Sequence, residues 1–484
     1  MTFPRAFRSA LALALAASTA GCLVGPNYSR PAVQTAPAYK EPGWSPAQPA
    51  DLSPRGDWWT LFNDPTLDAL EAKVAVNNQN VAAAEAAYRQ AEALVREQRA
   101  ALFPTVDLTG GPTRSGGGGG NTVITTPGAG GSTGGVTTTS RSGTSYRVSL
   151  GASWEPDIWG RIRRSIENAR GAAQASQADL AAATLSAQGS LAADYFDLRE
   201  TDLEIALLTE LADGYQRTLT IASNRYKAGI AAHSDMLQAE STLASTQADL
   251  RDLASRRQTF EHAIAVLAGQ APESFDLPAV PGWTPTVPQV PLSMPSALLQ
   301  RRPDIATAER RAAAASANIG VETAAYFPDI TLSASYGFAS TSLGRLFSSS
   351  ASLWSLGAQV AETIFDAGAR GARVAAARAA YDQAVAQYRQ TTLAAFQDVE
   401  DQLSATGALA DEYALRQTAA KDADLAATMV ENQYREGQVA YTNVVTAQAQ
   451  ALSARRTLVQ AAGQRQTAAV ALIQALGGGW KAPF

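Results

Sequence analysis

No proline interrupts the chain between Pro156 and Pro272, and none between Pro328 and Pro483. Proline removes a helix hydrogen bond and clashes with the preceding turn, so these are the intervals in which long helices can exist. A shorter proline-free interval runs from Pro65 to Pro104. The segment from Arg161 to Tyr226 is rich in Ala, Gln and Leu, residues of high helix propensity. Unbroken, its 66 residues cover ~100 Å at ~1.5 Å per residue. Gly371 to Tyr434 has the same length within a few residues. Globular helices average about three turns. Rods of this length belong to coiled coils or tunnels.

The same pattern is written twice. Asn80-Val81 through Glu85 to Phe103-Pro104-Thr105-Val106 returns about 224 residues later as Asp304-Ile305 through Glu309 to Phe327-Pro328-Asp329-Ile330. Leu150-Gly151-Ala152 echoes Leu356-Gly357-Ala358, and Arg225-Tyr226-Lys227-Ala228-Gly229 echoes Gln433-Tyr434-Arg435-Glu436-Gly437. An order of helix, strand, strand, long helix, turn, helix therefore occurs twice, and tandem duplication is its simplest account.

Four segments alternate with the period of a strand. Tyr146, Val148, Leu150, Ala152 and Trp154 share one face, with Arg147, Ser149, Gly151, Ser153 and Glu155 on the other. Ile330, Leu332, Ala334, Tyr336 and Phe338 oppose Thr331, Ser333, Ser335 and Gly337; Trp354, Leu356, Ala358 and Val360 oppose Ser355, Gly357 and Gln359. Thr105 to Leu108 begins the fourth. A half-buried soluble sheet gives the same period. A length of about nine to eleven residues, small polar residues on the second face and tryptophans near the ends favour a lipid-facing wall. Gly116 to Gly143 and Ser340 to Ser350 read as exposed loops, since no Lys-Ser/Thr follows the glycines to hold a phosphate. Four strands cannot close a barrel, and open edges are not tolerated in hydrocarbon. Two copies would give eight strands and three would give twelve.

Chemistry-bearing residues are sparse. The net charge is −5 and the charged fraction 17%, which gives no basic footprint for nucleic acid. His233 and His262 stand apart, and Cys22 is the sole cysteine, so neither a zinc site nor a Cys/His nucleophile pair can be assembled. Asp398-Val399-Glu400-Asp401 reads as a solvated helix face. No nucleophile is paired with a base, so no cofactor and no catalysis are expected. Arg5 and Arg8, the apolar run Ala10 to Ala20 and Ala20-Gly21-Cys22 form a cleaved export signal, too short to span a bilayer. The cysteine resembles that of a bacterial lipobox, although Thr19 stands where leucine is usual; an incidental cysteine after a plain signal is the alternative. Leu23 in place of aspartate fits sorting to the outer membrane.

Longer motifs carry a family resemblance over essentially the whole mature chain. They are Gly21-Cys22-Leu23-Val24-Gly25-Pro26-Asn27-Tyr28, Trp58-Trp59 through Phe62-Asn63-Asp64-Pro65, and Trp154-Glu155-Pro156-Asp157-Ile158-Trp159-Gly160-Arg161-Ile162-Arg163-Arg164. Leu298 through Arg301-Arg302-Pro303-Asp304-Ile305 and Ile364-Phe365-Asp366-Ala367-Gly368 complete the set. The chain resembles the outer-membrane factor family, in the lipoprotein branch that serves resistance–nodulation–division efflux pumps. The resemblance implies an α+β membrane protein: a homotrimeric outer-membrane efflux duct with four β-strands per protomer, a twelve-stranded barrel in the trimer, and a long periplasmic α-helical barrel. It also implies covalent lipid on Cys22, a periplasmic adaptor and an inner-membrane pump as partners, and passive export of small molecules. Thr363 departs from the family where a proline is usual.

These expectations divide the chain into a signal (1–21), a lipidated extended segment (22–65), a first repeat (66–270), a proline-rich equatorial linker (271–302), a second repeat (303–476) and a tail (477–484). The first repeat holds strands near 104–113 and 144–156 and helices 160–228 and 233–270. The second holds strands near 328–339 and 352–364 and helices 367–436 and 440–476. The helix-turn-helix tips, Tyr226 to Leu237 and Tyr434 to Val445, contain Gly229 and Gly437, which C-caps alone would explain. By resemblance the tips close like an iris and dock the adaptor, with Asp235 and Tyr434 as a latch. Val439 stands where some members carry a latch arginine, and Asn443 and Thr446 where relatives have acidic rings. His233 reads as a helix-start residue or a pH sensor. An adaptor-like scaffold would have one hairpin and a lipoyl-like module, and an enzyme barrel would need a nucleophile–base set; neither is written here.

Overall fold

The computed structural model describes residues 23–33, 40, 57–115, 143–288 and 301–478. The export signal, Cys22, the Gly-rich loop 116–142 and the end of the linker lie outside the described residues. In chain order the principal elements are α1 (Pro65–Asn77), α2 (Gln79–Ala100), β1 (Thr105–Ser115), β2 (Gly143–Trp154), α3 (Arg161–Lys227) and α4 (His233–Leu267). They are followed by α5 (Pro303–Ala324), β3 (Asp329–Ser340), β4 (Ser352–Ala361), α6 (Ala369–Arg435) and α7 (Tyr441–Ala475). The duplication reappears as equal lengths: α2 and α5 have 22 residues each, α3 and α6 have 67, and α4 and α7 have 35. At ~1.5 Å per residue the two longest helices run ~100 Å.

The chain divides into two compact units. The first, 1–29 with 92–170 and 313–382, carries one antiparallel sheet of order β1-β2-β3-β4. The register lines up side chains in rows: Leu108 lies opposite Leu150, Leu150 opposite Tyr336, and Tyr336 opposite Trp354. The alternate rows are small and polar, and hydroxyls bond across them at Thr109–Ser149 (2.9 Å) and Ser335–Ser355 (2.8 Å). One face is thus apolar and the other hydroxylated. Yet the apolar face is bare: Trp354, Leu356 and Leu108 are 78%, 79% and 73% exposed. A soluble sheet would cover such a face. β1 and β4 are free edges, exposed along their whole length.

The second unit, 30–91 with 171–312 and 383–484, holds a core of Trp58, Phe62, Leu67, Leu191, Tyr195, Phe196, Ile264 and Ile473. Its entry motif has a local physical cause. Asn63 takes a left-handed φ of 53° to end the short turn Trp58–Phe62, Asp64 accepts from the amides of Thr66 (2.9 Å) and Leu67 (3.3 Å), and Pro65 opens α1. That is an N-cap followed by proline at the first helical position. The second oxygen of Asp64 accepts from the Tyr195 hydroxyl at 2.6 Å. Both repeats then close on a matching knuckle. The Asn78 amide donates to the carbonyl of Leu267 at 2.9 Å, and Arg302 donates to the carbonyl of Ala475 at 3.1 Å. Gly269 and Gly477, both left-handed, sit so close to the carbonyls of Asn77 and Arg301 that a Cβ would lie 2.3 and 2.2 Å from them.

Candidate functional site

Two sites gather the residues the sequence singles out: the helix tips and the N-terminal clasp. At the tips, α3 and α6 both end in a glycine C-cap. Gly229 has φ 78° and Gly437 φ 77°. The amides of Gly229 and Ile230 donate to the carbonyls of Tyr226 and Arg225, and those of Gly437 and Gln438 to Tyr434 and Gln433. This pair of bonds is the Schellman motif, which only a residue free to adopt left-handed φ completes without strain. α4 and α7 restart at His233 and Tyr441 without a side-chain cap.

The two tips pack on each other through a small core in which Ala222, Ala239, Tyr441 and Val444 are buried, flanked by Leu219, Val430, Tyr434 and Val445. An aromatic in the last turn meets one at the first residue of the next helix in both tips. Tyr226 stacks on His233 (4.7 Å, 28°), and Tyr434 tilts against Tyr441 (5.5 Å, 54°). The Tyr434 hydroxyl accepts from Arg225 Nη1 at 2.7 Å, with the guanidinium 5.4 Å from the ring centroid. Arg225, not Asp235, is therefore the partner this structure gives Tyr434. Asp235 lies in the first turn of α4, where the helix dipole favours an anion, with the Ser234 hydroxyl 3.4 Å away. Its charge also bears on Tyr441, whose phenol is pushed up to about 12, first by burial and then by Tyr434, Tyr215 and Asp235. Asn443 is exposed, and Thr446 turns its hydroxyl back to the Thr442 carbonyl at 3.0 Å. Arg225 and Tyr441 were missed by sequence reasoning, although the seven-residue spacing from Tyr434 to Tyr441 was there to read.

The clasp joins two motifs that are 140 residues apart in sequence. Arg164, fully buried, donates to the carbonyls of Val24 (3.1 Å) and Gly25 (3.2 Å), to Asn27 Oδ1 (2.9 Å) and to Glu167 (2.6 Å). The Val24 amide donates to the Trp159 carbonyl at 3.1 Å. Gly25 has no room for a side chain, since a Cβ on it would lie 2.4 Å from the Cα of Gly320 in α5, and a Cβ on Gly320 would lie 2.8 Å from Arg164 Cγ. Asp157 caps α3 through the amides of Ile162 and Arg163, both at 2.9 Å. Trp159 stacks on Phe327 at 4.9 Å, and its indole donates to the Pro328 carbonyl at 2.9 Å. The residues that follow Cys22 are thereby fixed where β2 ends and β3 begins.

Among the described residues, no group of three His, Cys, Asp or Glu side chains could hold a metal, and no helix is long and apolar enough to cross a membrane. A sheet bare on its apolar face and open at both edges, in one chain with twin 67-residue helices, defines a membrane channel protein with a β wall and long α-helices. The profile of the outer membrane efflux protein family matches residues 71–270 and 294–478, and the chain belongs to that family. It is 29% identical over 482 residues to the probable efflux pump outer membrane protein TtgC of Pseudomonas putida, covering 98% of this chain and 96% of the relative. It is 31% identical over 470 residues to the solvent efflux pump outer membrane protein SrpC of the same species (95% and 96% covered). To the cation efflux system protein CusC of Escherichia coli it is 26% identical over 471 residues (97% and 98%). Among solved structures, the outer-membrane channel OprN superposes with a TM-score of 0.82 at 30% identity, over 95% of this chain and 100% of that one. The open state of the Neisseria gonorrhoeae MtrE channel gives 0.81 at 28% (95% and 99%). The chain is an outer-membrane channel component of an efflux system.

Proposed function

We propose that the channel is a homotrimer in which three sheets close a twelve-stranded barrel, and in which the long helices form a periplasmic tunnel. The observation that carries this reading is the four-stranded sheet with two free edges, because unpaired edges are not tolerated in hydrocarbon and the smallest bacterial barrels have about eight strands. The duct passively carries small molecules, drugs and toxic compounds, delivered by an inner-membrane pump through a periplasmic adaptor. It contributes passage and no catalytic step. The cargo class is supported by relatives named for solvents and cations. A deletion strain profiled against antibiotics, dyes, solvents and metal ions tests it: unchanged susceptibility to all of them would remove the efflux role.

The helix tips are the gate and the adaptor dock in this reading, with Asp235, Tyr226, Gly229, Tyr434, Gly437, Asn443 and Thr446 lining it. Lipid on Cys22 anchors the chain in the outer membrane. The clasp supports this, since Leu23 and Val24 are held beside the strand ends. Labelled palmitate should enter the wild-type chain and not Cys22→Ser. Single-channel conductance in planar bilayers tests the gate: Asp235→Ala and Tyr434→Phe should raise it, and unchanged conductance for both would remove the latch.

A further inference from the structure

The second unit contains a cavity of about 280 Å³ that neither the tips nor the clasp uses. It lies where the turn that opens α1 meets α3, α7 and the linker. Its floor is aromatic: buried Phe196 packs against Phe62 at 4.8 Å and against Trp283 at 6.0 Å, with Tyr195 alongside. Its rim is polar and exposed, at Asn63, Thr66, Thr284 and Thr286. The linker is pinned beside it, because the Val280 amide donates to Asp202 at 3.1 Å and the Trp283 indole to Asp64 at 3.4 Å. Two side chains of this cavity lack part of their hydrogen-bonding complement. Gln466 of α7 is completely buried, and neither its amide oxygen nor its amide nitrogen meets a protein partner. Arg199 of α3 donates Nη1 to Asp202 (2.8 Å) and to the Pro278 carbonyl (2.9 Å), while its buried Nε–H is unmatched. Buried polar side chains are hydrogen-bonded in the large majority of cases, and leaving one unmet is costly.

We propose that this cavity binds a small, neutral aromatic carboxamide. A carboxamide offers an acceptor and a donor side by side, the complement of the Gln466 amide, and its carbonyl has a second lone pair for the Arg199 Nε–H. The ring suits the floor formed by Phe196 and Trp283. A cavity of about 150 Å³ holds benzene, so one of about 280 Å³ takes a single ring with its substituent. Charge selects against the corresponding acid and amine. The Arg199 charge is already met by Asp202, and Asp64 in the wall repels a carboxylate, while Arg199 repels an ammonium. The site depends on neither the trimer nor the cargo of the duct.

Fluorine-19 NMR of 4-fluorobenzamide with the full chain in lipid nanodiscs tests the site. The signal should broaden saturably beyond its width with empty nanodiscs, and 4-fluorobenzoate and 4-fluorobenzylamine should bind about tenfold more weakly or worse. Gln466→Leu, close in volume, should weaken the amide about tenfold, the effect of losing its two hydrogen bonds, with an unchanged circular dichroism spectrum. Thr284→Trp, at the exposed rim, should weaken it as well by closing the mouth without touching the buried floor. Equal affinity for the three probes, or for wild type and Gln466→Leu, would overturn the assignment. So would binding that survives Thr284→Trp unchanged, or broadening no greater than with empty nanodiscs, which would leave the Gln466 amide to ordered water.

Discussion

The carboxylate of Glu200 on α3 occupies the notch left by Gly463 on α7: a Cβ on that glycine would lie 1.9 Å from Glu200 Oε2. Eleven residues away on each helix the relationship is reversed. Gln474 of α7 fills the space at Gly189 of α3, 1.7 Å from where its Cβ would be, and donates to the Leu185 carbonyl at 3.3 Å. Two antiparallel helices thus interlock through two glycines and two long polar side chains.

Gly463→Ala should therefore push the flexible Glu200 carboxylate out of its notch at a cost of about 1 kcal/mol, the low end for overpacking, read as a lower midpoint in thermal unfolding followed by circular dichroism. Glu200→Ala combined with Gly463→Ala should recover most of the loss. Additive losses would show that the notch does not couple the two positions.

Glu71 on α1 is completely buried and neither carboxylate oxygen has a partner. Burial raises its pKa from 4.5 to about 9, so the folded chain holds the proton. A raised acid stabilises the fold fully below the unfolded value near 4.5, and that contribution is lost as pH climbs through about 9. Glu200, pushed up to about 8 by burial and the charges of Asp197 and Glu204, acts in the same direction. Melting temperature should fall from pH 5 to pH 9, and Glu71→Gln should flatten that slope. A wild-type profile already flat across this window would contradict a buried neutral Glu71.

At the tips, the Arg225–Tyr434 hydrogen bond should bias the closed arrangement more than Asp235 does. Loss of a charge-assisted bond is worth about 1.5–3 kcal/mol, roughly a ten- to hundredfold shift in a two-state equilibrium. Arg225→Gln and Tyr434→Phe should raise channel conductance alike, and the double variant should add little to either. Equal effects from Asp235→Ala, additive with Arg225→Gln, would assign the latch to the carboxylate instead.

The Arg164 side chain ties Val24, Gly25 and Asn27 to α3. Its removal leaves the partly buried acceptors of this segment without their charged donor, at a cost of roughly 1.5–3 kcal/mol. Limited proteolysis should cut near residues 24–30 in Arg164→Ala and not in wild type. Arg164→Lys, a point charge without the planar fork, should not restore protection.

Periodicity and proline placement made the elements legible because both act within one segment. The alternation from Tyr146 to Trp154 fixes faces, and the pairing of Leu150 with Tyr336 realises them. Resemblance between segments was a poorer guide to register. Leu150-Gly151-Ala152 and Leu356-Gly357-Ala358 match as letters, yet pairing makes Leu150 equivalent to Ala358, two residues on. The partner of Tyr434 was not legible, because its choice between Arg225 and Asp235 depends on the rotational phase of two hairpins, and spacing within either one does not encode that. Nor was the clasp: Gly25 and Arg164 were both marked as family motifs, but only the folded chain shows that one motif holds the other.

The hairpin ends are equal in length and unequal in chemistry. Tyr226 and His233 present an exposed stack, while Tyr441 at the corresponding place is buried. Three chains arranged in a ring would display six such ends in alternation, three of each kind. A protein that recognises one kind would bind three to a ring, and six could be seated only by one that tolerates both.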